Sequence, residues 1–77
     1  MRRVVSVSPL GGRKLSIRFA DGIEGVFDMT PYLRSAFFKR LEDDEYFRTV
    51  RLFFGGIGWP EGQDLGPDTI AADLTPA

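Results

Sequence analysis

The sequence predicts an α+β fold, a small antiparallel sheet of about five strands with short helices packed on one face. Its 77 residues, 43% of them hydrophobic, suit a single domain over residues 1–77. Two segments among the first 28 residues, Val4 to Pro9 and Lys14 to Phe19, alternate between apolar and polar side chains, as half-buried strands do. The middle changes to helical spacing, and glycine- and proline-marked segments follow it. We therefore expect two hairpins, an N-terminal strand and two helical stretches.

The N-terminal residues predict two strands. Val4 to Pro9 alternates β-branched residues with serine, and proline closes the strand. Leu10 to Arg13 forms a turn. Lys14 to Phe19 alternates without a break, so one face of this strand lies in the core. The core-facing residues of the second strand are Leu15, Ile17 and Phe19.

The next turn fixes the register of the first hairpin. A two-residue loop at Asp21 and Gly22 would set Phe19 opposite Glu24, with a carboxylate on the apolar face. A three-residue loop from Ala20 keeps that face apolar and puts Gly22 in the left-handed position of a bulged turn. We therefore predict the three-residue loop. Its pairs are Phe19 with Ile23, Ile17 with Gly25, and Leu15 with Phe27.

The middle of the chain predicts helices. Thr30 supplies a hydroxyl N-cap, and Pro31 suits the first helical position. Asp43 is a candidate cap for a second short helix over residues 44–48, whose acidic first turn suits the helix dipole. The inward-facing residues expected here are Tyr32, Leu33, Phe37, Phe38, Leu41, Tyr46, Phe47 and Val50.

A second hairpin and a final helix complete the expected fold. Gly55-Gly56 is a strong two-residue turn between strands 50–54 and 57–59. Residues 60–63 form a turn, Pro67 begins a helix that ends near Leu74, and residues 75–77 are expected to fray. The hairpin pairs are Phe54 with Ile57 and Leu52 with Trp59 on one face, and Phe53 covers Gly58 on the other.

Composition excludes several classes of chemistry. The chain has no cysteine and no histidine, so disulfides, Cys/His zinc sites, a thiol nucleophile and a histidine base are impossible. The net charge of −1 argues against nucleic-acid binding by the protein alone. After Met1-Arg2-Arg3 the apolar stretch is too short for a signal peptide, and no run is long enough to cross a membrane. We expect a cytoplasmic, non-enzymatic protein.

Charge is unevenly distributed along the chain. Residues 1–20 contain five basic residues and no acid, whereas residues 21–77 contain five basic and eleven acidic residues. Charge runs usually mark solvated faces, and basic side chains on an edge strand also discourage aggregation. The strand Val4–Ser8 is itself a candidate edge, through which two copies could pair. The alternative is that the basic hairpin contacts an acidic partner. The basic-patch candidates are Arg2, Arg3, Arg13, Lys14 and Arg18.

The C-terminal part holds the best cluster for a ligand. Glu61, Asp64 and Asp68 follow Trp59 closely and could bind a cation through carboxylate oxygens, although no EF-hand pattern is present. The structural interpretation is stronger: Asp64 binds turn amides, Asp68 complements a helix N-terminus, and the indole lies in the core. These four residues are the candidates for a ligand or partner site, and we identify no catalytic or metal-ligating residue and no cofactor.

The motifs together resemble a bacterial family, domain of unknown function 2442. The resemblance spans nearly the whole chain, and its most specific part is Trp59-Pro60-x-Gly62-x-Asp64-Leu65-x-Pro67-Asp68. Asp44 departs from it, since many members have proline there, and the second hairpin is shorter than in some members. The resemblance implies an α+β fold and no accepted catalytic residues.

The resemblance also shapes the functional expectation. Some members join a helix-turn-helix DNA-binding domain, and others occur beside a second small gene, as toxin–antitoxin pairs do. We therefore expect a protein-interaction or regulatory module, such as the antitoxin-like member of a small operon, with a small protein partner or a second copy of itself. The alternative is a small-molecule or cation-binding sensor domain around Trp59.

Overall fold

A computed structural model describes residues 2–77, and Met1, part of the start compared above with a signal peptide, lies outside them. Seven strands, two α-helices and three 3₁₀ helices follow one another within this part of the chain. The strands are β1 (Val4–Leu10), β2 (Lys14–Phe19), β3 (Glu24–Asp28), β4 (Arg51–Phe53), β5 (Gly56–Gly58), β6 (Asp64–Leu65) and β7 (Thr75–Pro76). The α-helices are α1 (Asp44–Phe47) and α2 (Pro67–Asp73), and the 3₁₀ helices are Gly11–Arg13, Thr30–Arg34 and Ala36–Glu42.

The predicted α+β class is confirmed, but the strands form two antiparallel sheets. One has the order β1-β2-β3-β7 and the other β4-β5-β6. The expectation of one five-stranded sheet is therefore wrong. The sheets meet where the Val4 amide donates to the Gly55 carbonyl oxygen at 2.8 Å. Strand β1 lies at an edge of its sheet, as predicted.

The first hairpin has the predicted register. Leu15 is opposite Phe27, and Ile17 is opposite Gly25. The Phe19 amide donates to the Ile23 carbonyl at 2.8 Å, which closes the three-residue loop. Gly22 has φ +93°, in the left-handed region where glycine carries no Cβ penalty. The alternation of buried and exposed residues along β2 is complete.

The last residues are ordered by β3, so the prediction of fraying is wrong. Thr75 and Pro76 pair with Val26 and Gly25, and the amide of the final alanine donates to the Glu24 carbonyl at 3.0 Å. A Cβ atom on Gly25 would overlap the Thr75 carbonyl oxygen. Because Gly25 has no side chain, β7 can pair beside it. This strand has two residues, too few to show any periodicity in the sequence.

The second hairpin turns one residue earlier than predicted. Leu52 lies opposite Ile57, and the turn residues are Phe54 and Gly55. Their φ values of +47° and +82° are those of a type I′ turn. Gly56 is instead a residue of β5, where glycine is required because a Cβ atom would overlap the Leu65 carbonyl oxygen of β6.

This shift changes which side chains the hairpin buries. Phe54 and Leu52, predicted to face inward, are 93% and 48% exposed. Ile57 and Trp59 stay in the core, so the predicted shared face is wrong. The contact between Phe53 and Gly58 is present, since a Cβ on that glycine would lie 3.1 Å from the Phe53 Cβ.

The central helical stretch is divided. Ser35 is extended, with ψ 138°, and separates two 3₁₀ helices. The Thr30 hydroxyl does not cap the first; instead the Asp28 carboxylate accepts from the Thr30 amide at 2.9 Å, so that prediction is wrong. The predicted cap at Asp43 is confirmed, because its carboxylate accepts from the Glu45 amide at 3.1 Å.

One cluster of apolar side chains lies between the two sheets and the helices. The central helical stretch contributes part of the predicted set, since Tyr32, Leu33 and Val50 are only half-buried and Phe37 is exposed. The buried apolar residues are Val4, Leu15, Ile17, Phe19, Phe27, Met29, Phe38, Leu41, Tyr46, Phe47, Ile57, Trp59, Leu65 and Ile70.

Candidate functional site

Trp59 belongs to the core, as the structural interpretation predicted. Its side chain is 2% exposed, and its indole N–H donates to the Phe47 carbonyl oxygen at 2.9 Å. The two rings lie 6.1 Å apart between centroids. The indole therefore joins the residue that follows β5 to the end of α1, and a buried aromatic N–H has the partner it needs.

The turn after Trp59 is held by a buried hydroxyl. The Tyr46 hydroxyl donates to Gln63 Oε1 at 2.6 Å and accepts from the Glu61 amide at 2.7 Å. The Gly62 amide, in turn, donates to the Trp59 carbonyl at 3.1 Å. Gly62 has φ +107°, which explains the glycine in the motif. The most specific segment of the family resemblance is thus a structural element clamped to α1.

Glu61 is engaged in an ion pair. Its carboxylate lies 3.3 Å from Arg40 Nε, and another nitrogen of the same guanidinium lies 2.9 Å from Asp43. The guanidinium carbon stands 4.3 Å from the centre of the Tyr46 ring. The Arg40 hydrogen bond, helped by the Glu45 amide, holds the pKa of Asp43 below its usual value. The exposed Arg40 guanidinium thus links the turn after Trp59 to α1.

The other two carboxylates lie on separate elements. Asp64 is exposed in β6 opposite Gly58, and Asp68 is in the first turn of α2, where it suits the helix dipole as predicted. Within residues 2–77 the Asp64 carboxylate accepts no hydrogen bond, so the predicted amide contacts are wrong. In the same range no three acidic side chains are grouped to hold a metal ion.

Arg13 has a structural role that the sequence did not reveal. Its guanidinium donates to the carbonyl oxygens of Leu41 at 3.1 Å and Glu42 at 2.6 Å, and it pairs with Asp44 at 2.9 Å. It also lies over the Phe47 ring, 5.7 Å from the centroid. It satisfies the last carbonyls of the longer 3₁₀ helix, groups that need an outside donor.

The remaining basic-patch candidates do not form one surface of free charge. Arg2 pairs with Asp21 at 3.5 Å and stacks over Phe19. Lys14 and Arg18 are exposed on β2, each opposite an acidic residue of β3. Arg3 is exposed and its side chain runs beside Gly55 at the tip of the second hairpin. The fold therefore divides the five charges among different contacts.

Two exposed aromatic side chains at the tip of the second hairpin form a surface feature that the sequence analysis missed. We call Phe53 and Phe54 the hairpin aromatic surface, and the exposed Leu52 before them lies on the other face of β4. The two phenylalanine rings stack edge to face, 4.6 Å between centroids. Phe54 keeps a left-handed backbone although it is a bulky residue. The Phe-Phe-Gly-Gly sequence held the signal, but only the correct turn position exposes it.

A small cleft adjoins this surface, which we call the Trp59 cleft. Its volume is about 140 Å³. Phe53 forms one wall, so the stacked phenylalanine pair continues directly into the cleft. The cleft is lined by Arg51, Phe53, Trp59, Pro60, Gly62 and Gln63.

Comparison with known proteins identifies the family. The family model described as "Protein of unknown function (DUF2442)" matches residues 4–75, and the chain belongs to this family. No curated protein and no solved structure is similar enough to be matched. Over residues 2–77, none of the helices has the length and apolar character to cross a membrane.

Proposed function

We propose that the protein is a non-enzymatic interaction or regulatory module that binds a partner protein through the hairpin aromatic surface. The observation that carries the proposal is Phe54, a phenylalanine 93% exposed at the first central position of a type I′ turn. Large exposed apolar groups that adjoin one another mark contact sites on soluble proteins. Aromatic side chains are also enriched among the residues that dominate binding energy.

The backbone at Phe54 strengthens this proposal. A left-handed conformation costs a residue with a Cβ roughly 1–2 kcal/mol, and Asn or Gly is the usual occupant of this turn position. Phe54 gains no compensating burial in the chain by itself. Local choices that disfavour the fold are expected at functional sites. The aromatic ring is therefore explained by binding rather than by folding.

The buried polar groups of the chain have their hydrogen bonds, so the hairpin aromatic surface is the feature that folding does not explain. Among residues 2–77 no buried side-chain polar atom lacks a hydrogen-bond partner. An enzyme or cation sensor built on the Trp59 turn would need its carboxylates together, whereas Glu61, Asp64 and Asp68 lie on a turn, a strand and a helix. This dispersal supports an interaction role over the cation-sensing alternative.

The partner class follows the family resemblance. We propose a small protein from a neighbouring gene, with this chain as the antitoxin-like member, in a bacterial cytoplasm. Pairing of two copies through edge strand β1 is the competing assembly. The small-molecule alternative rests on the Trp59 cleft, but about 140 Å³ is below the roughly 300–1,000 Å³ of ordinary ligand pockets.

The test is capture from the native host with tagged wild type, Phe54→Asn and Phe37→Asn, read by mass spectrometry. Phe37 is a matched control because it is also an exposed phenylalanine, 53% accessible, outside the second hairpin. We expect one dominant small protein with wild type and Phe37→Asn, and its loss with Phe54→Asn. Circular dichroism melting shows that each variant is folded.

Two results contradict the proposal. One is capture of the same protein at the same level by Phe54→Asn, which places the contact elsewhere. The other is no specific protein with wild type, together with a melting temperature raised by a metabolite or divalent cation. That second result establishes the sensor alternative.

A further inference from the structure

We infer that the Trp59 cleft binds an acidic segment of the partner, with one apolar side chain in the cleft and a neighbouring carboxylate on Arg51. The inference rests on the proposed function and adds the chemistry of the bound segment. It starts from the lining of the cleft, where a guanidinium, an aromatic wall and a proline meet. This combination suits a segment in which an apolar side chain stands next to a carboxylate.

The size of the cleft sets what enters it. A volume of about 140 Å³ accommodates one side chain of leucine or phenylalanine size, not a cofactor. Phe53 and Pro60 provide apolar surface. The Oε1 atom of Gln63 already accepts a hydrogen bond from the Tyr46 hydroxyl. An inserted apolar group therefore displaces water without leaving the buried amide oxygen unpaired.

Arg51 supplies the charge. It is exposed on β4 and, among residues 2–77, forms no ion pair, in contrast to Arg13 and Arg40, which both do. The Glu61 carboxylate next to the cleft is engaged by Arg40 at 3.3 Å. The guanidinium of Arg51 thus keeps its planar set of donors for an external carboxylate, which it can bind through two parallel hydrogen bonds.

The surroundings reinforce the positive potential. Residues 46–60 contain Arg48 and Arg51 and no acid. The Val4–Gly55 hydrogen bond joins this stretch to the N-terminal segment, and the exposed Arg3 runs beside the same glycine. Complementary potential steers partners and excludes those of like charge. An acidic segment is favoured over a neutral or basic one.

The occupant is argued to be another protein rather than a second copy. Arg51 lines the Trp59 cleft in both copies, so a symmetric contact that brings the two clefts together also brings these arginines together. The acidic C-terminal part of a second copy is the remaining self-contact. Such a contact can close a two-fold dimer when each copy offers its acidic part to the other's cleft, and sedimentation distinguishes this case from binding of another protein.

Selection from a random heptapeptide display library against immobilised wild type tests the inference. We expect enriched sequences with Asp or Glu within two positions of a large apolar residue. A fluorescently labelled enriched peptide is then titrated against wild type, Arg51→Glu, Arg51→Gln and Arg34→Glu. Arg34 is the matched control, an exposed arginine at the end of the Thr30–Arg34 helix.

The expected result is a loss of affinity of at least about tenfold with Arg51→Glu, a smaller loss with Arg51→Gln, and less than about twofold change with Arg34→Glu. Enrichment of basic or uncharged peptides overturns the inference, as does equal affinity for Arg51→Glu. Sedimentation that shows a wild-type dimer, dissociated by Arg51→Glu, overturns it in favour of a second copy.

The two proposals fail differently. If host capture depends on Phe54 and Arg51→Glu captures the same protein equally well, the interaction function stands and the acidic-segment inference falls. If wild type captures no protein and selects no peptide, both fall. Melting curves of the arginine variants, which we expect to match wild type, exclude loss of the fold as the cause.

Discussion

The two hairpins of this small protein differ in the burial of their apolar residues. In the first, Leu15, Ile17 and Phe19 are at most 1% exposed, and polar residues alternate with them. In the second, every residue of β4 is exposed and the turn carries Phe54 into solvent. The difference indicates that the first hairpin builds the core, whereas the outer strand of the second leaves its apolar side chains exposed, which is what the proposed contact with a partner requires.

Truncation of a core phenylalanine in the first sheet should have the largest effect. Phe27 is completely buried opposite Leu15, and Phe27→Ala is expected to lower the free energy of unfolding by about 3–5 kcal/mol. That is a large part of the roughly 4–12 kcal/mol expected for a chain of this size. Urea unfolding measures it, with Phe37→Ala as the exposed control. Equal losses for the two variants contradict the assignment of the core.

The glycine within β5 tests the second sheet. Gly56→Ala places a methyl group against the Leu65 carbonyl, and overpacking of this kind typically costs about 1–3 kcal/mol. Gly11→Ala is the matched control, since its Cβ meets no atom within 4 Å and its φ is not in the left-handed region. If both variants unfold at the same urea concentration, β6 does not pack against β5 as described.

The clamp on the Trp59 turn should have a moderate effect. Tyr46→Phe removes a hydroxyl that serves both Gln63 Oε1 and the Glu61 amide. We expect a loss of about 1–3 kcal/mol, because a buried amide oxygen and an amide N–H lose their partner. The near-ultraviolet circular dichroism of Trp59 should weaken as well. An unchanged urea midpoint shows that water replaces the hydroxyl at no cost.

The turn residue of the second hairpin should respond in the opposite direction. Phe54→Asn is expected to raise the free energy of unfolding by up to about 1 kcal/mol, because Asn tolerates the left-handed backbone better. Thermal melting measures this change. Phe37→Asn is the comparison, because Phe37 is also exposed but does not have a positive φ. A clear loss of stability contradicts the argument that the ring has no role in the fold.

Acid should produce the smallest effect, at the end of the first hairpin and at the start of α1. The Thr30 amide and hydroxyl, with Lys14 contributing less, hold the pKa of Asp28 below its usual value, and Arg40 does the same for Asp43. Each carboxylate stabilises the fold above the unfolded-state pKa near 4, and that contribution is lost as the pH falls through the lower folded-state pKa. Both groups are exposed, so the effect is small. Melting temperatures of wild type and Asp43→Asn between pH 5 and 2 measure it.

Periodic patterns in the sequence predicted the first hairpin correctly. The position of the second turn, which depends on one tertiary contact, was predicted wrongly. The alternation along β2 and the need to keep Glu24 off the apolar face were sufficient to give the first hairpin and its register. The second hairpin offered two adjacent glycines, and β6 decided between them, because only Gly56 could lie against Leu65. A contact with a residue nine positions further along the chain leaves no local pattern.

The candidate site was foreseen only in part. Core placement of Trp59 followed from the pattern, but the carboxylates near it in sequence diverge onto different elements. Arg13 resembled a free surface charge, although it binds carbonyls 28 and 29 residues away. Long-range polar contacts of this kind arise from tertiary packing, which residue spacing does not encode.

We propose that the second hairpin, and not the basic first hairpin, contacts the partner. Hydrogen–deuterium exchange of the purified chain, free and in the complex captured from the host, distinguishes the two hairpins. We expect new protection within residues 51–63, centred on the hairpin aromatic surface and the Trp59 cleft. Protection confined to residues 4–19, with the second hairpin unchanged, would contradict it.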